Sequence, residues 1–105
     1  MSASHSRRAE RHAIAIPIEV TIAGQTVSGQ TRNLSIGGAF IEADRTPAFG
    51  TRVVLTFKLS TLPQVIEVGG TVRWTDAGGF GVMFDGLHAR DVFALNKLFE
   101  KLPRE

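Results

Sequence analysis

From Ile14 onward the chain alternates. Ile14, Ile16, Ile18, Val20 and Ile22 are apolar, and Ala13, Ala15, Pro17, Glu19 and Thr21 stand between them. A period of two sends successive side chains to opposite faces, so this is the pattern of a half-buried strand. Pro17 cannot donate a ladder hydrogen bond, which predicts an edge strand or a bulge at that point. Gly24-Gln25 reads as a turn, and Thr26 to Arg32 as the returning strand. Asn33-Leu34-Ser35-Ile36-Gly37-Gly38 is a short polar and glycine-rich break before the apolar run Ala39-Phe40-Ile41. After a turn at Thr46-Pro47-Ala48-Phe49-Gly50, alternation resumes at Val53, Leu55, Phe57 and Leu59. Ile66, Val68, Val72 and Trp74 alternate next, which puts Trp74 on the core side; Gly69-Gly70 interrupts this strand as at a bulge or barrel bend. Asp76-Ala77-Gly78-Gly79 reads as a hairpin turn leading to a last strand with Phe80, Val82 and Phe84. The period then changes to 3.6. Val92, Leu95, Leu98, Phe99 and Leu102 form one apolar helical stripe within residues 88–102, with Arg90, Lys97, Glu100 and Lys101 off it. These elements predict an all-β fold, a six-stranded antiparallel barrel with one C-terminal α-helix covering an open end or edge.

A chain of 105 residues leaves room for one domain, here a flexible arm over residues 1–12 and a barrel domain over residues 13–105. There is no cysteine, which removes disulfides, thiolate metal sites and cysteine nucleophiles together. No run approaches the ~18 apolar residues of a membrane span, and the N-terminus lacks the apolar core of a signal peptide. These features predict a cytoplasmic domain with no membrane insertion. The net charge of +2 resides entirely in residues 1–12, where Arg7, Arg8 and Arg11 outnumber Glu10. A duplex-binding protein spreads its cations over a face or along a helix, so neither DNA nor RNA is an expected partner. A neutral body with one short cationic arm suits a small anionic ligand, an acidic partner or a membrane surface.

Catalytic constellations are lacking. His5, His12 and His88 have no metal-ligand spacing. Asp85 with His88 at a strand–helix junction reads as structural. Ser35 is not in a Gly-x-Ser-x-Gly elbow, and Gly78-Gly79-Phe80-Gly81 has neither the spacing nor the lysine of a Walker loop. Neither enzymatic activity nor a metal or cofactor is expected. Two clusters remain. Arg7-Arg8-Ala9-Glu10-Arg11 contains Arg-x-x-x-Arg and uses only arginine, although the helix carries Lys97 and Lys101. Arginine's planar fork holds a phosphate or a guanine edge through two hydrogen bonds and stacks on bases; the plain alternative is a solvated basic arm. Asn33-x-Ser35-x-x-Gly38 is either an ordinary turn, with glycines that permit positive φ, or a rim facing a ligand. In the second case Gly37 and Gly38, lacking β-carbons, let the ligand approach the backbone.

In this order, an Arg-x-x-x-Arg arm, a first strand with its hairpin return and then (Asp/Asn)-x-Ser-x-x-Gly, the chain resembles the PilZ domain family, bacterial receptors for the second messenger cyclic di-GMP. The resemblance extends over nearly the whole chain, because Gly-Phe-Gly-Val-Met-Phe at 79–84 and the closing helix are similar to the family's last strand and helix. It implies the six-stranded barrel with a C-terminal helix that the periodicity also predicts. It further implies that Arg7 and Arg11 grip the ligand's phosphates and guanines, with Arg8 as the doubled arginine many members show. Asn33 and Ser35 would face a guanine edge, and Gly38 would keep the turn open. Asn33 stands where members often carry Asp, which removes one charge from the rim. Arg32 and Trp74 are accessory candidates for the same ligand. The implied mechanism is an arm that folds over cyclic di-GMP as a switch, read by an effector protein through the arm and the rim. Two other readings are a PilZ-like adaptor in pilus or motility machinery that binds no nucleotide, and a small barrel for single-stranded nucleic acid. The latter needs a basic groove with exposed aromatics, whereas this body is neutral and most of its phenylalanines fall at core-facing positions.

Overall fold

In the computed structural model, which describes residues 11–59 and 65–102, the alternating segments form six strands. They are β1 (Pro17–Ile22), β2 (Gln25–Leu34), β3 (Gly38–Ala43), β4 (Arg52–Lys58), β5 (Val65–Asp76) and β6 (Gly79–Phe84), followed by helix α1 (Ala89–Glu100). Every pairing is antiparallel and the order β1-β2-β3-β6-β5-β4 closes on itself, since β4 also pairs with β1. The six-stranded barrel with one C-terminal helix is therefore the fold. Val20, Leu34, Ile41, Leu55, Ile66, Val72 and Val82 fill its interior and are fully buried. Closure satisfies the ladder groups that an open sheet would leave exposed at its edges.

Closure also changes the meaning of Pro17. No edge strand is involved; the proline is the first residue of β1, where its missing N–H takes nothing from the ladder. The first turn is Ala23-Gly24 rather than Gly24-Gln25, because Ile22 pairs with Gln25. Both turn residues have positive φ, 51° and 84°, as the twist of a two-residue hairpin requires. At the other hairpin the Asp76 carboxylate accepts the Gly78 and Gly79 amides at 2.7 and 3.1 Å.

The bulges fall elsewhere than the glycines suggest. Gly69 and Gly70 pair in register with Val54 and Val53. The irregularity in β5 comes at Arg73, since Val72 pairs with Val82 but Trp74 with Gly81. A second one comes in β2 at Arg32, between the Thr31–Ile41 and Asn33–Phe40 pairs. One extra residue reverses the phase of everything beyond it. Val72 thus points inward while Trp74, expected on the core side, lies outside at 37% exposure. Likewise Thr31 and Leu34 are buried, and Arg32 and Asn33 turn outward between them.

Helix α1 docks Ala94, Leu95 and Leu98 into the core. The expected stripe is rotated: Val92, Phe99 and Leu102 are half-buried, and Asp91 takes a buried place on the docking face. Its Oδ1 has no hydrogen-bond partner among the described residues, with Arg90 Nε 3.7 Å away. Asp85 pairs not with His88 but with Arg52 at the start of β4, in a two-pronged contact of 2.8 and 2.5 Å. The Arg52 hydrogen bond holds the Asp85 carboxyl below its ordinary range, and Asp85 in turn raises Arg52. A depressed carboxyl pKa stabilises the fold above the unfolded-state value and loses that contribution as pH falls through the folded value. The stability difference between wild type and Asp85→Asn, followed by urea melts, should therefore be largest at neutral pH. It should shrink as pH drops below about 4.

Candidate functional site

The two bulges assemble one row of side chains on the outside of the barrel. Asn33 on β2 stands opposite Phe40 on β3, Phe40 opposite Gly81 on β6, and Gly81 opposite Trp74 on β5. Phe40 lies between the core residues Ala39 and Ile41, so alternation directs it outward. It is nevertheless only 6% exposed, because the Arg32 guanidinium carbon sits 4.6 Å from its ring centre. Arg32 is held there by an ion pair to Glu42 at 2.7 Å. Gly81 carries no side chain, and a β-carbon there would overlap the Trp74 indole. The ring therefore lies directly on the strand backbone and turns its outer face away from the barrel.

That outer face is where Arg11 comes to rest. Its guanidinium carbon is 4.9 Å from the Trp74 ring centre, and its Nη1 donates to Asn33 Oδ1 at 2.8 Å. One arginine thus spans the row from end to end. Its position is set by the next residue. The His12 N–H donates to the Leu34 carbonyl and the Leu34 N–H to the His12 carbonyl, both at 2.9 Å. The His12 ring stacks on Phe99 of α1 at 4.0 Å between centroids. Arg11 and His12, assigned by sequence to a flexible arm, are both docked.

The turn after β2 has a different character. Ser35 is 3% exposed. Its hydroxyl accepts the Gly37 and Gly38 amides, each at 3.1 Å, and donates to the Gly38 carbonyl at 3.2 Å. All of its hydrogen-bonding capacity is spent in closing the turn, so it supports the rim from beneath. Neither Gly37 nor Gly38 has positive φ; the positive-φ glycines are Gly24, Gly50 and Gly86. Gly38 is buried, and a β-carbon there would overlap the Val82 carbonyl oxygen across the β3–β6 pair. Gly37 is exposed.

Of the residues singled out by sequence, the structure brings Arg11, Arg32, Asn33 and Trp74 to one outer face and places Ser35 and Gly38 under its margin. Arg7 and Arg8 lie outside the described residues. Phe40 and Gly81 belong to the same face and were missed. Their signals were present, an aromatic residue between two core positions and a glycine inside a strand, where it marks a close approach. The electrostatics favour an anion. Arg32 is paired with Glu42, whereas Arg11 faces the neutral Asn33 amide, so its charge is not cancelled there. An exposed indole, a fork-shaped cation and an amide within one span suit a planar base bearing phosphate. No group of three or more His, Asp or Glu side chains able to hold a metal ion occurs among the described residues. No helix among them is long and apolar enough to cross a membrane.

A family model described as "PilZ domain" matches residues 5–101. The structure is similar to the crystal structure of the PilZ domain of CeSA from a cellulose-synthesizing bacterium. The TM-score is 0.66 at 21% identity, over 86% of this chain and 94% of that one. It is also similar to the inhibitor of motility MotI/DgrA of Bacillus subtilis, with a TM-score of 0.72 at 15% identity. That alignment covers 92% of this chain and 53% of the other, so this chain corresponds to about half of that protein. At these identities the two likenesses establish the fold. No curated protein matches the sequence.

Proposed function

The chain belongs to the PilZ domain family, and from that premise we propose that it is a non-catalytic receptor for cyclic di-GMP that reports ligand occupancy to an effector protein in the cytoplasm. The observation that carries this reading is Arg11, bonded to Asn33 and stacked on Trp74 with no ion-pair partner among the described residues. A phosphate is a better partner for that guanidinium than a neutral amide, since a charge-assisted bond contributes about 1.5–3 kcal/mol. The contacts it would give up are exposed and together worth about 1 kcal/mol. Arg7 and Arg8 supply the further cations for a diester with two phosphates. Asn33 keeps an amide that reads a guanine edge as donor and acceptor together.

Asn33 in place of aspartate fits the same reading. An aspartate would hold Arg11 in an ion pair that the ligand must break, whereas the amide orients the guanidinium and leaves its charge available. The His12 backbone is already paired with Leu34, so ordering the arm's root is not charged against the ligand, and only the Arg11 side chain has to re-aim. A micromolar dissociation constant, about −8 kcal/mol, then requires only a few charge-assisted bonds and one stacked base.

Trp74 is the expected stacking surface. Base–aromatic stacking contributes about 1–3 kcal/mol, so Trp74→Ala should weaken cyclic di-GMP binding by about tenfold or more in calorimetric titration. Circular dichroism should show an unchanged barrel, because Trp74 is outside the core. The reading as a whole is tested by titrating cyclic di-GMP into the wild type with GTP as control. Saturable binding of one or two molecules per chain, absent with GTP, is the expected result. No binding at high protein concentration would overturn it and leave an adaptor that works through protein contacts alone.

A further inference from the structure

Thr31 lies inside the barrel wall, 1% exposed, immediately before the β2 bulge at Arg32. Its hydroxyl accepts the Ile16 N–H at 2.9 Å and donates to the Ile14 carbonyl at 2.6 Å. Its own N–H donates to the Ile16 carbonyl at 3.0 Å. Regular pairing with β2 lapses along this stretch. It stops at Pro17–Gln30 and resumes at the single His12–Leu34 bridge, so five steps on one side run against four on the other. Such a mismatch leaves backbone groups of residues 13–16 without a ladder partner, and buried backbone groups must find one. A threonine hydroxyl is donor and acceptor at once and serves two of them.

The offset it maintains has consequences for the ligand face. With this phase His12, Ile14 and Ile16 turn toward the body and Arg11, Ala13 and Ala15 are exposed. A slip of one residue would exchange the two sets, carrying Arg11 to the Phe99 side and His12 outward. We propose that Thr31 is a positioning residue for the ligand site: its hydroxyl sets the offset between the arm's root and β2 that lands Arg11 over Asn33 and Trp74. The binding part of this inference rests on the cyclic di-GMP reading, whereas the positioning part concerns the free protein.

The test uses Thr31→Val, which keeps the shape and removes both hydrogen bonds, and Thr31→Ser, which keeps the hydroxyl. Amide exchange of the free proteins reads the His12 and Leu34 N–H groups against those of β4 and β6. In Thr31→Val the two bridge amides should exchange at least about tenfold faster, as expected for two lost bonds, with β4 and β6 unchanged. Cyclic di-GMP affinity should fall at least about tenfold in the same variant, and Thr31→Ser should restore both readouts. Unchanged bridge amides, or equal acceleration throughout the barrel, would overturn the proposal. So would wild-type affinity in a variant whose bridge amides are released. Should Thr31→Val not fold, Thr31→Ser against Thr31→Ala makes the same hydroxyl comparison without the methyl group. If wild type takes up no cyclic di-GMP, the receptor reading fails by itself while the exchange result still decides the role of Thr31.

Discussion

Arg11→Ala is expected to abolish detectable cyclic di-GMP binding while leaving the barrel folded. The two halves of this expectation come from different magnitudes. In the free protein Arg11 makes one exposed hydrogen bond to Asn33 and one exposed stack on Trp74. Contacts of that kind stabilise a fold by about 1 kcal/mol in all, so the melting curve should move by only a few degrees. On the ligand, the same guanidinium is expected to make two charge-assisted bonds to phosphate, together about 3–6 kcal/mol. Subtracted from a micromolar affinity of about −8 kcal/mol, that loss takes the dissociation constant to between about 0.2 mM and tens of millimolar. Arg7→Ala should show the same loss, and Arg11→Lys an intermediate one, because lysine keeps the charge but not the fork. Titration calorimetry beside thermal melts separates these outcomes. Wild-type affinity in Arg11→Ala would remove the arm from the site.

Gly38→Ala should have the largest effect on stability. The added β-carbon overlaps the Val82 carbonyl oxygen, and that obstacle is backbone, so no rotamer change relieves it. β3 and β6 must move apart, and the barrel loses ladder bonds where it closes. The expected cost is about 3 kcal/mol or more, a fall of roughly 15 °C in the thermal midpoint of a domain this size. Gly37→Ala is the control, because the nearest atom to its added carbon is Ser35 Oγ at 3.9 Å. That substitution should stay within about 0.5 kcal/mol. The pair distinguishes two explanations of the glycine in Asn33-x-Ser35-x-x-Gly38. If Gly38→Ala melts like the wild type and loses only the ligand, the glycine makes room for a ligand. If it melts early, the glycine makes room for β6.

Much of this molecule could be read from its residues alone, because the two relevant periods are local. Alternation from Ile14 to Ile22, from Val53 to Leu59 and from Phe80 to Phe84 identifies strands whichever neighbours they have. The shift to a 3.6-residue stripe after His88 identifies the helix. The Arg-x-x-x-Arg and Asn-x-Ser-x-x-Gly spacings are likewise sequence facts, and the family resemblance they carry implies a phosphate-bearing ligand. What only the tertiary structure decided is the facing of individual side chains. A bulge belongs to a pair of strands, and nothing within β2 or β5 alone marks Arg32 or Arg73 as the unpaired residue. Those two irregularities turn Trp74 out of the core and set Asn33 on the same outer row. The same holds for Ser35, whose hydroxyl the structure shows bonded within its own turn. A hydroxyl bonds whatever backbone lies within reach, and that reach is known only once the chain has folded.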